Sequence, residues 1–151
     1  LRAVGRTKLS ECERKRLLAA WGVATEESTT IGTEVAIGVK RDDQLGPVLM
    51  YGMGGIFAEM TTEVTLRVCP ISKQDAQDMV NEVAGSRILI GSNGRPKADV
   101  DSLIDTLVRV SELAVNLEGI IDEININPLI VLPRGQGVKA LEAVITLSHQ
   151  Q

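Results

Sequence analysis

Aromatic residues are almost missing: Trp21, Tyr51 and Phe57 are the only three in 151 residues. Proteins that hold single-stranded nucleic acid usually stack bases on aromatic rings, so that class is disfavoured. Basic residues are outnumbered, 16 Lys and Arg against 20 Asp and Glu, for a net charge of −4. A phosphate-backbone binder needs the opposite balance, so no nucleic-acid partner is expected. No apolar run approaches the length of a bilayer span, so no membrane partner is expected either. No secretory signal is visible, and Leu1 is not a start methionine, which leaves the true amino terminus open. The two cysteines, Cys12 and Cys69, lie far apart without metal-type or paired spacing. They read as reduced thiols, which points to a cytoplasmic protein. The one histidine, His149, sits in a polar tail and reads as solvent-exposed and inert.

What is present is an aliphatic core pattern. Hydrophobic residues make up 44% and charged residues 24%, enough for one domain with a sizeable core. Ser10 and Glu13 form a capping box, which predicts a helix with Leu17, Leu18 and Trp21 on its buried side and Gly22 as its stop. Glu34 to Lys40 alternates, with Val35, Ile37 and Val39 on one face of a strand. Asp42 to Pro47 reads as a turn and Val48 to Tyr51 as the returning strand of a hairpin. After Gly52-Met53-Gly54-Gly55, the segments Ile56 to Glu59 and Glu63 to Cys69 read as extended, the second closed by Pro70. Ser72 and Asp75 open a helix with Ala76, Met79, Val80 and Val83 as its stripe and Gly85 as its end. Gly91 to Pro96 reads as a loop. Asp99 caps a longer helix carrying Leu103, Ile104, Leu107, Val108, Val110, Leu113 and Ala114. Ile120 to Ile126, Leu129 to Leu132 and Val138 to Leu147 read as strands. Hairpin links among mixed elements predict an α+β fold, a mostly antiparallel sheet with helices on one side.

Three places could carry chemistry. The glycines at 52, 54 and 55 would let backbone amides converge on an anion, but taken alone they are better explained by a tight turn between strands. Alternation puts Glu123, Asn125 and Asn127 on one strand face, three oxygen-bearing side chains together. Strands disfavour Asn, so a hard-cation site is one explanation; Mg²⁺ takes oxygen ligands and shares its shell with water and phosphates. A solvated sheet face ending in an Asn127-Pro128 turn is the other. Glu142 stands in an aliphatic strand, where a buried carboxylate would need a partner or metal and an edge carboxylate would reach water.

The motifs occur in an order that resembles a known family. Ser10-Glu11, Glu13, Leu17-Leu18 and Trp21-Gly22-Val23 come first. Gly32-Thr33-Glu34-Val35 and Leu45-Gly46-Pro47-Val48 follow, then Gly54-Gly55-Ile56 with Glu59. Val64, Leu66-Arg67 and Pro70-Ile71 come next, then Glu123 through Leu129 and Leu141-Glu142-Ala143. Together they resemble the ATP-grasp domain of ADP-forming (NDP-forming) acyl-CoA synthetases, such as acetate–CoA ligase, related to the succinyl-CoA synthetase β subunit. The resemblance implies an acid–thiol ligase that makes acyl-CoA from a carboxylic acid, CoA and ATP through a phosphohistidine, releasing ADP and phosphate. It implies ATP and Mg²⁺ as cofactors, Glu34 against the nucleotide, and Asn127 and Glu142 on the metal. Gly54, Gly55 and Glu59 would border the docking place of a phosphohistidine segment. That histidine would come from a CoA-binding domain or subunit, the implied partner; assembly with copies of this chain is left open.

There are departures from the family pattern. Glu142 stands where the family usually has aspartate, Asn125 where it has an acidic residue, and Asn93 where it commonly has arginine. A lobe that would separate the opening helix from Glu34 is missing from this sequence, since residues 26–30 run almost directly into Gly32. Both a true deletion and further residues outside this sequence would account for it, and the second is favoured because the remaining motifs look selected for a nucleotide site. The expected organisation is a linker over 1–8, the opening helix and junction over 9–30, an ATP-grasp carboxyl-terminal subdomain over 31–148 and a tail over 149–151. By that reading the chain alone would be inactive. The competing readings are a non-catalytic scaffold and the ligand-sensing ATP-grasp module of a protein acetyltransferase.

Overall fold

The computed structural model describes residues 8–23, 32–54, 64–83, 89 and 97–148. Among these, six strands form one antiparallel sheet: β1 Thr33–Asp42, β2 Gly46–Met53, β3 Val64–Val68, β4 Ile121–Val131, β5 Val138–Ala140 and β6 Ala143–Leu147. The order is β3-β2-β1-β4, with β5 and β6 both paired to β4, along its second and first halves respectively. The helices are α1 Glu11–Ala20, α2 Lys73–Glu82 and α3 Val100–Asn116. No helix is long and apolar enough to cross a membrane.

Local chemistry explains most boundaries. Both capping boxes form, Ser10 with Glu13 and Ser72 with Asp75. Gly22 follows α1 at φ +82°, a conformation that favours glycine. The β1–β2 turn is held by Asp42, whose Oδ1 accepts from the Gln44 and Leu45 amides at 2.8 and 3.0 Å. Those two amides hold its carboxyl below the usual range.

The core lies on one sheet face. Val35, Ile37, Leu49, Tyr51, Ile124, Ile126, Leu129 and Ile145 meet Leu18, Met79, Leu103, Leu107 and Leu113 from the helices in one buried cluster. Ser111, fully buried on α3, accepts from the Ile71 amide at 3.2 Å and donates to the Val108 carbonyl at 2.7 Å. The segment entering α2 is thereby tied to α3.

Two sequence expectations need correction. Asn127-Pro128 is not a turn between two strands. It lies inside the continuous strand β4, with a cis peptide bond, at a register shift against β1. Only Ala36 falls between the pairs Val35↔Leu129 and Ile37↔Ile126, so two residues of β4 oppose one of β1, a β-bulge. Conversely, 138–147 is not one strand. It breaks at Leu141–Glu142 into β5 and β6, opposite the bulge. The pairs Ile126↔Ala143 and Leu129↔Ala140 stay in constant register, so both chains carry the extra residue together.

β3 carries a further finding. Its apolar residues Val64, Leu66 and Val68 are 50, 55 and 47% exposed, whereas Thr65 is buried. The polar side faces α2 because it is satisfied there. Thr65 donates to Glu82 at 2.7 Å, and Arg67 pairs with Glu82 and donates to Thr65 at 3.0 Å. The aliphatic side consequently faces away from the helices. The expected extended segment at 56–59, the ends at Gly85 and Gly91–Pro96, and the junction at 24–31 lie outside the described residues.

Candidate functional site

The helix-free face of the sheet is where the chemistry-bearing residues meet. On β1 the residues Glu34, Ala36 and Gly38 alternate with the buried Val35, Ile37 and Val39 and so belong to the open face. On β4 the exposed Glu123 and Asn125 alternate with the buried Ile124 and Ile126. Across the sheet, Gly38 pairs with Asn125 and Asn125 with Val144, while Lys40 pairs with Glu123 and Glu123 with Thr146.

At the bulge the alternation doubles. Ile126 and Leu129 are both buried, so Asn127 and Pro128 both turn to the open side; Ala140 and Ala143 bracket Leu141 and Glu142 in the same way. The constant register places position 127 opposite position 142. The Asn127 amide donates to the Glu142 carbonyl at 3.1 Å, and the Leu141 amide to the Pro128 carbonyl at 3.0 Å. Directly opposed residues stand about 5 Å apart at Cβ, within reach of one small ligand. Asn127 is half-buried and Glu142 exposed.

Gly54 completes the cluster from the other flank. Its amide donates to the Glu34 carbonyl at 3.1 Å. A Cβ placed on it would sit 2.4 Å from the Val35 carbonyl oxygen and 2.9 Å from Asn127 Oδ1. The chain leaving β2 therefore passes tightly over β1 and touches the Asn127 side chain. Asn127 stands between Gly54 on one flank and Glu142 on the other. Glu34 is half-buried and pairs with Ile130 on β4. Along β1 it lies two residues from Ala36, about 7 Å from the bulge.

A cleft of about 470 Å³ adjoins this cluster through Asn125. Val48, Met50 and Leu66 give it an apolar floor beside Gly38, while Lys40, Arg41, Asp42 and Glu123 line its charged rim. Arg41 is held by Asp122, Nε to Oδ1 at 3.1 Å. The apolar floor was missed from sequence; the signal available was the aliphatic alternation of β3.

The donor set is oxygen-only: an amide, a carboxylate and nearby carbonyls. Among the described residues, no three His, Cys, Asp or Glu side chains gather in a metal-holding group. So few protein donors fit a hard cation that keeps waters and takes phosphate oxygens, not a fully enclosed structural metal. Of the other sequence candidates, Gly55, Glu59, Asn93 and His149 lie outside the described residues.

The sheet is thus covered by helices on one face and carries a cluster of oxygen-bearing residues on the other. Residues 23–147 match the ATP-grasp domain family, and the chain belongs to it. It is 39% identical over 127 residues to the β subunit of ADP-forming acetate–CoA ligase II from Pyrococcus furiosus, covering 84% of this chain and 54% of that protein. To the β subunit of ligase I from the same organism it is 43% identical over 109 residues, covering 72% of this chain and 47% of that protein. It thus spans about half the length of these relatives. Among solved structures it is similar to PH1788 of Pyrococcus horikoshii, with a TM-score of 0.90 at 25% identity, covering 97% of this chain and 94% of that one. It is also similar to a dinucleotide-forming acetyl-coenzyme A synthetase of Ca. Korarchaeum cryptofilum, solved with coenzyme A and Mg-AMPPCP. There the TM-score is 0.86 at 26% identity, covering 95% and 94% of the two chains.

Proposed function

We propose that this chain is the carboxyl-terminal ATP-grasp part of an ADP-forming acyl-CoA synthetase, working in the cytoplasm with a CoA-binding, phosphohistidine-bearing domain or subunit. The observation that carries the reading is the opposition of Asn127 and Glu142 across β4 and the β5–β6 break, on the open face beside Glu34.

Asn127 and Glu142 would hold Mg²⁺ through their side-chain oxygens, directly or through water. The ion, when bound, neutralises phosphate charge so that positioning dominates the transfer. Glu34 contacts the nucleotide from the adjoining row of the same face. Gly54, Gly55 and Glu59 border the approach of the partner's histidine. In the synthetic direction the γ-phosphoryl leaves ADP for a histidine nitrogen, then passes to a carboxylate oxygen. CoA sulfur displaces phosphate from that acyl phosphate. The open face presents the nucleotide to the partner, while the helix-covered face supplies rigidity.

The test is phosphorylation of the intact protein together with its CoA-binding partner. Mg-ATP should label a histidine, and Asn127→Ala should abolish that labelling at micromolar metal. Absence of any phosphohistidine in the wild-type pair would remove the synthetase reading and leave a scaffold or sensor.

A further inference from the structure

In sequence Gly54 is one of a glycine cluster beside a proposed docking place. Its surroundings point to another role. It stands where the main chain of β1 and the Asn127 side chain both crowd one residue. Its amide donates to the Glu34 carbonyl at 3.1 Å. The space a side chain would need is already taken, by the Val35 carbonyl at 2.4 and 2.6 Å and by Asn127 Oδ1 at 2.9 Å. No real Cβ tolerates such distances, so any other residue would push the Asn127 amide aside or shift β1. Gly54 is buried, so this contact is not one that solvent can replace. Nor does conformation explain the glycine, because Gly54 is not among the glycines with positive φ.

We infer that Gly54 is a positioning residue for the cation site: its missing side chain sets where the Asn127 amide oxygen rests, and its amide locks that position to Glu34. The inference rests on the proposed role of Asn127 and assigns Gly54 to the metal site, not only to a docking surface. Residues that orient a ligand to a metal typically cost 10- to 100-fold in affinity when changed.

The experiment compares wild type, Gly54→Ala, Asn127→Ala and the double variant in the intact protein. Mg²⁺ is titrated in the presence of AMPPCP, and analogue binding is measured again in EDTA. Gly54→Ala should raise the Mg²⁺ midpoint about 10- to 100-fold, a larger loss than any it causes in analogue binding measured in EDTA. The double variant should be no worse than Asn127→Ala alone, because both act through one amide. A folded Gly54→Ala with a wild-type Mg²⁺ midpoint, or losses that multiply in the double variant, would overturn the inference. An unaltered midpoint in Asn127→Ala would instead overturn the metal reading itself, and this inference with it. If Gly54→Ala does not fold, wild-type NMR decides. The Gly54 amide and the Asn127 side-chain amide should shift with one common Mg²⁺ midpoint while Gly119 stays still. A silent Gly54 refutes the coupling.

Discussion

Asp99 offers the sharpest test of how the sheet is held. It is only 7% exposed, yet its carboxylate makes no ion pair among the described residues. Its oxygens accept instead from three amides: Ser102 at 3.2 Å, Gly135 at 3.1 Å and Gly137 at 2.8 Å. One residue thus caps α3 and fastens the β4–β5 turn to it. Replacing Asp99 with Ala removes the cap, worth about 1 kcal/mol, and two charge-assisted bonds of about 1.5–3 kcal/mol each. Gly135 is exposed and Gly137 half-exposed, so water recovers much of the second part. The expected loss is about 2–3 kcal/mol, and Asp99→Asn, which keeps an acceptor oxygen, should lose about half of that. Burial alone would raise the Asp99 pKa; the Gly137, Ser102 and Gly135 bonds outweigh it and lower it. A depressed folded pKa contributes stability that is full above the ordinary aspartate value and is lost as pH falls through the folded one. Urea denaturation of wild type and Asp99→Ala should therefore differ most at pH 5–7, and the difference should narrow as pH falls below about 4. A difference under about 0.5 kcal/mol at pH 7, or one that persists unchanged at low pH, would refute the reasoning.

Other expectations follow from the same structure. Ser111→Ala strands the Ile71 amide in a dry core and should cost about 1–2 kcal/mol, lowering Tm by roughly 3–6 °C in a thermal melt. Burial pushes the Cys69 thiol up to about 11, while Cys12 is exposed. A thiol reagent at pH 8 should accordingly label one cysteine quickly in the native chain and both after denaturation; fast labelling of Cys69 would contradict the packing. Glu142→Gln alters an exposed side chain and should leave Tm within about 1 °C, because surface changes rarely exceed about 0.5 kcal/mol. It should nevertheless weaken Mg²⁺-dependent AMPPCP binding in the intact protein. Leu66→Asp, on the cleft floor, should likewise spare the melt and weaken analogue binding even in EDTA; unaltered binding would exclude the cleft from the nucleotide's path.

The parts legible in sequence were those fixed by neighbours along the chain. The capping boxes at Ser10 and Ser72, the alternation of β1 and the stripe of α3 depend on residues three or four apart, and all appear as read. The bulge was not legible as such. Asn127-Pro128 carries turn chemistry, and only the pairing of Ile126 and Leu129 on both flanks keeps the strand continuous through it. The break at Leu141–Glu142 has no local breaker at all; it exists because its partner strand carries an extra residue there. For β3 the alternation was legible but its direction was not, since Glu82, from another element, decides that Thr65 and Arg67 turn inward. The oxygen-bearing face of β4 was visible from spacing, whereas the contact between Gly54 and Asn127 depends on the chain crossing β1.

These distinctions divide the sheet by parity. Inward positions meet the helices, so their substitution moves folding. Outward positions at Gly38, Asn125, Glu142 and Leu66 border solvent or the cleft, so theirs should move binding and leave stability nearly untouched. At the bulge the separation fails. There two consecutive residues on each of two strands face outward, and a buried glycine main chain presses on Asn127, one of the two side chains proposed to meet the cation. A site built from side chains alone could drift with its rotamers. One wedged between a bulge and a close main-chain crossing cannot move without disturbing β1, so the proposed ligand Asn127 would be held in place although it is only half-buried.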